Sequence, residues 1–67
     1  MEVIAGILHD TYTDETGKKI PYEEKVVGVL EDDTFKCTSI PEFTTYDMPK
    51  EDFFAKVTDM QTIWSKE

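Results

Sequence analysis

Residues 46–66 read YDMPKEDFFAKVTDMQTIWSK, and the reading of this stretch decides the fold. Phe53, Val57, Met60 and Trp64 recur at steps of four, three and four. That spacing stacks them along one side of a 3.6-residue helix and predicts a core-facing apolar stripe. Pro49 fits the first turn of such a helix, Asp47 just before it can accept orphan backbone N–H bonds, and Glu51 and Asp52 suit the positive end of the dipole. The expected helix starts near residue 48 and runs to the end of the sequence. At about 1.5 Å per residue, its roughly 17 to 19 residues would span about 26 Å, enough to lie across a small sheet. Everything upstream reads as that sheet.

Working back from the helix, Thr34 to Ile40 (TFKCTSI) alternates sides as a strand that turns Phe35, Cys37 and Ser39 to one face, with Phe35 and Cys37 toward the helix. Lys25 to Leu30 (KVVGVL) is a second strand, rich in valine, whose Gly28 marks a bulge or a close backbone approach. The acidic turn Glu31-Asp32-Asp33 joins the two as a hairpin. Residues 2–9 (EVIAGILH) form the first strand, with Ile4 and Leu8 on one parity and Val3 and Ile7 on the other. Between them, Asp14-Glu15-Thr16-Gly17 is a turn signal, and Pro21 restricts its surroundings to an edge or an irregular strand start. Pro41 ends the third strand, and the connection after it tucks Phe43 and Tyr46 beneath the helix. The expected architecture is α+β: one β-β-β-α domain over residues 1–67, a three-stranded antiparallel meander with one C-terminal helix packed on one face.

A chain of 67 residues has a thin core, burying about 60% of its unfolded surface. Its single cysteine, Cys37, excludes an internal disulfide and every multi-cysteine zinc pattern, and fits a reducing compartment. No apolar run reaches the ~18 residues of a membrane span, and MEVIAGIL lacks a basic leader and cleavage site, so a soluble cytoplasmic protein is expected. The charge balance says more. Fifteen acidic residues stand against seven lysines and no arginine, a net of −8. Such a field repels nucleic acid and anionic membrane and attracts basic protein surfaces with fast, salt-sensitive association.

Enzyme chemistry finds little purchase. A Cys37 nucleophile needs a base, and His9 is the only histidine, on another expected strand. No Gly-rich phosphate loop, HExxH or GxSxG pattern is present, and the acidic pairs lack the alternating spacing and distal glutamate of a calcium loop. No enzyme, cofactor or metal function is expected.

The acids come in clusters: Asp14 and Glu15; Glu23 and Glu24; Glu31, Asp32 and Asp33; Glu51 and Asp52. Carboxylates two apart on a strand lie about 6.5–7 Å from each other, and four apart on a helix roughly 6 Å, close to the separation of successive phosphates on one strand. DNA-binding proteins gain most non-specific affinity from Lys and Arg contacts to phosphate, so a rigid acidic surface can occupy those same groups. These nine residues are the candidate partner-binding set. A different reading is a small structural or regulatory interaction module. In it Phe54 and Ile63, off the helical stripe, form an apolar edge with Tyr46 that favours homodimerisation, while Trp64 packs in the core.

The combination of small size, acidity, absence of arginine and clusters such as EDD at 31–33 and KED at 50–52 resembles the host-takeover proteins of lytic bacteriophages, and among them the DNA-mimic inhibitors. That group includes inhibitors of uracil-DNA glycosylase and of the bacterial histone-like protein HU; in size and acidity the chain is most like the latter. The resemblance implies an inhibitor in the host bacterial cytoplasm that occupies the DNA-binding surface of an HU-like nucleoid protein.

Overall fold

The computed structural model describes residues 1–40 and 42–65. Five strands and one short helix follow in the order β1 (Glu2–Thr13), β2 (Lys19–Glu31), β3 (Thr34–Ile40), β4 (Thr45–Pro49), α1 (Lys50–Lys56) and β5 (Val57–Ser65). All pairings are antiparallel, in the order β4-β3-β2-β1-β5. The first four strands form a meander. α1 then carries the chain from the β4 edge to the opposite edge, where Val57 meets Leu8 and β5 runs back along β1.

Both expected hairpins form, for reasons visible in their turns. Gly17 takes a φ of 84°, and the Asp14 carbonyl accepts its N–H at 3.1 Å. At the β2–β3 turn, Asp32 has a φ of 56°, a left-handed conformation that aspartate tolerates better than most residues. Pro21 sits where β2 has no β3 neighbour, because β3 reaches only to Lys25, so its missing N–H interrupts no central ladder.

The sheet's inner face carries the core: Ile4, Leu8, Val26, Phe35, Cys37, Met48, Phe53 and Val57. Phe53 is the residue by which α1 closes that face, stacked on Phe35 at 3.9 Å between ring centroids. Each ring is fully buried, a gain of about 2–3 kcal/mol apiece from apolar burial. Gly28 lies beneath them. A Cβ there would come within 2.7 Å of the Phe53 ring and 2.9 Å of the Phe35 ring, so this glycine marks a close approach of rings to backbone.

Three expectations are corrected. The first is the three-stranded β-β-β-α plan together with its long helix: among the described residues the sheet has five strands. The long C-terminal helix is replaced by seven helical residues and strand β5. Val57 leaves the helix with φ −106° and ψ 131°, and the segment beyond it carries Val57, Thr58, Thr62, Ile63 and Trp64, types that favour the pleated conformation. Pairing with β1 satisfies a backbone edge that a second helical layer would leave open. Of the supposed stripe only Phe53 and Val57 are buried; Met60 and Trp64 are 43% and 47% exposed.

The second correction is that residues 45–49 are a strand, not a loop beside a helix start. Asp47 is therefore not the cap, and α1 begins after Pro49 with no side-chain cap bond. The third concerns Phe43. Its φ is 59° and it is 72% exposed, held in a turn where its N–H donates to the Ser39 carbonyl, whereas Tyr46 does pack against the core. Pro41, read as the end of the third strand, lies outside the described residues.

Candidate partner-binding surface

β1 and β2 outrun their neighbours. β5 accompanies β1 only as far as Leu8, and β3 accompanies β2 only from Lys25. Residues 9–24 thus form a two-stranded arm that helps stretch the body to 47 × 22 × 19 Å. Tyr12 and Tyr22 brace it, with ring centroids 5.8 Å apart.

This geometry distributes the candidate acids. Asp14 and Glu15 occupy the tip of the arm. Asp14 is committed to the turn: its Oδ1 accepts bonds from the Thr16 hydroxyl at 2.7 Å and from the backbone N–H groups of Thr16 and Lys18 at 2.9 and 3.0 Å. These bonds, the Thr16 hydroxyl first, hold its carboxyl below the ordinary value.

Glu23 and Glu24 sit at the root of the arm on opposite faces, as adjacent strand residues must. Glu23 faces outward, 3.5 Å from His9 Nδ1; Glu24 faces inward and accepts a bond from the Ser39 hydroxyl at 3.0 Å. At the far end, Glu31 pairs with Lys36 at 3.2 Å and Asp33 with Lys50 at 3.3 Å. The Asp33 carbonyl also accepts the Lys50 N–H at 2.9 Å, which ties the turn to the start of α1. Asp32, Asp33, Glu51 and Asp52 are thereby brought to one end of the body, and all four are exposed. The nine residues form three groups strung along the molecule, not one cluster.

Other expected associations are rearranged. Phe54 lies on α1, edge-on to Phe35 and Phe53, while Tyr46 is on β4 and Ile63 on β5, at opposite edges of the sheet. The three do not build a common apolar edge. Trp64, expected in the core, is on the exposed strand β5.

Cys37 is buried on the inner face, and burial followed by the nearby Asp47 charge raises its thiol to about 11. His9 is on the outer face, its Nε2 2.7 Å from the Thr58 hydroxyl. The register therefore puts the sheet between Cys37 and His9. Among the described residues, no three His, Cys, Asp or Glu side chains come together to hold a metal ion, and no helix is long and apolar enough to cross a membrane.

The feature missed in the sequence is the outer face. Register puts Val3 opposite Val29, Ala5 opposite Val27 and Ile7 opposite Lys25, with Ile40 next to Lys25 and Trp64 next to Val3. α1 covers only the other side. The signal was present in the unbroken apolar runs VIAGIL and VVGVL, because a strand with one wet face alternates, whereas one apolar on both parities calls for cover on both faces. Comparison with known protein families, curated proteins and solved structures returns no match for this chain.

Proposed function

We propose that the protein is a DNA-mimic binding inhibitor: an acidic body that occupies the basic DNA-binding surface of an HU-like nucleoid protein in the bacterial cytoplasm and blocks its access to DNA. The observation that carries this reading is the spread of carboxylates over an elongated sheet in a chain of net charge −8. Acids stand at the arm tip, at its root and at the turn beside α1, so negative charge recurs along the length of the body.

Magnitude sets a bound on the mimicry. Eight net charges over 47 Å is about one per 6 Å, against about one per 1.7 Å for a duplex and about 3.4 Å for one strand. The body stands in for part of one phosphate backbone, and charge alone gives it less affinity than DNA of equal length. Its own ion pairs are surface pairs of about 0–1 kcal/mol, which a cationic partner can exchange at little cost.

The test is competition. An HU–duplex complex at low salt is titrated with this protein, and release of labelled DNA is followed by anisotropy. Release that weakens steeply toward physiological salt is expected, as is a loss of potency when Glu51 and Asp52, or Glu31 and Asp32, are changed to lysine. Absence of release at low salt rejects HU as the target, and charge-reversed variants of full potency remove those acids from the interface.

A further inference from the structure

The outer face of the sheet holds a shallow depression of about 250 Å³ between β1, β2 and the edges of β3 and β5. Ala5, Ile7 and Val27 line it on the apolar side, with Ile40 alongside, and Lys25, Asp59 and Gln61 supply polar groups. We infer that this depression seats an apolar side chain of the same basic partner, so that the interface is an aliphatic centre with a predominantly acidic surround; the inference rests on the acidic-inhibitor reading.

Three observations carry it. The strands beneath the depression are apolar on both parities, and α1 covers only the inner face, so β1 and β2 present an apolar surface with no cover among the described residues. The volume falls below the ~300–1,000 Å³ of small-molecule pockets and suits a single side chain.

Charge selects the occupant. Glu23, Glu31 and Asp47 share this face and Asp59 borders the depression, against Lys25 and Lys36, and Lys36 is tied to Glu31 at 3.2 Å. A second copy of a chain of net charge −8 meets repulsion there, whereas a cationic surface with one projecting aliphatic or aromatic residue meets complementary charge around an apolar centre. The arrangement also supplies what the sparse charge lacks, since a buried apolar contact adds affinity that salt does not screen.

The experiment uses two synthetic lysine-rich helical peptides of equal length and charge that differ only along one helical face, which carries serine in one and leucine in the other. At physiological salt, the leucine peptide is expected to bind at least about tenfold more tightly, the gain from burying one aliphatic side chain. Its backbone amide shift changes should centre on Ala5, Ile7, Val27 and Ile40. Val27→Asn should abolish the difference without altering the serine peptide's affinity. Ile40→Asn, at the margin of the sheet, provides the same test where folding is least at risk. Equal affinities, or shift changes centred on Phe54 of α1, overturn the inference and leave the acidic reading standing. Failure of both peptides to bind even at low salt overturns both.

Discussion

Phe35 and Phe53 stack with ring planes 14° apart and centroids at 3.9 Å, directly over Gly28. This pair joins the only helix among the described residues to the centre of the sheet. Gly28→Ala introduces a methyl 2.7 Å from one ring and 2.9 Å from the other, and both rings are fully buried. The variant should lose about 1–3 kcal/mol by overpacking, read as a lower urea midpoint. Phe53→Ala should lose more, about 3–5 kcal/mol, since it removes the residue that holds α1 down.

Cys37 gives a prediction with a defined pH window. Burial raises the folded thiol to about 11 from an ordinary value of 9.0. A raised folded value means that the folded state holds the proton more tightly, so this contribution to stability is complete below pH 9 and is lost as pH rises through about 11. Unfolding free energies measured between those limits should decline more steeply in the parent than in Cys37→Ala. At pH 8 an aromatic disulfide reagent should modify Cys37 only as fast as the protein opens; immediate modification would place the thiol at the surface.

The two hairpins that join β1, β2 and β3 were legible because their turns announce themselves. Asp14 through Gly17 and Asp32-Asp33 carry the residue types their geometries require, and the strands between are rich in β-branched residues. The C-terminal third was not legible, because the 53, 57, 60, 64 spacing fits one helix as well as it fits a short helix followed by a strand. Only tertiary pairing with β1 separates the two. The acids were individually visible, but neighbours such as Glu23 and Glu24 point to opposite faces, and no local pattern reveals that Asp33 and Lys50 meet. The outer face could have been found from the apolar runs in β1 and β2.

Trp64 reports directly on that C-terminal third. It is the single tryptophan, and it is 47% exposed on β5 beside Val3. Its fluorescence should be red-shifted and readily quenched by acrylamide in the native protein, with far-UV dichroism dominated by strand. A blue-shifted, protected indole with strong helical dichroism would restore the long amphipathic helix in place of β5.

The arm tip depends on one carboxylate. Asp14 accepts three bonds that close the turn over residues 14–18, and they lower its folded value below that of the unfolded chain. A lowered folded value means that its contribution to stability is present above the unfolded value and lost as pH falls through the folded one. The arm should therefore fray on acidification before the body does, because the body's core is apolar and does not titrate with it. Protection from hydrogen exchange at Tyr12 and Ile20 should fall at low pH while the amides of Leu8 and Val26 stay protected. Asp14→Ala should produce the same local fraying at neutral pH, and Glu15→Ala should not. Uniform loss of protection in arm and body would show that the two unfold as one unit.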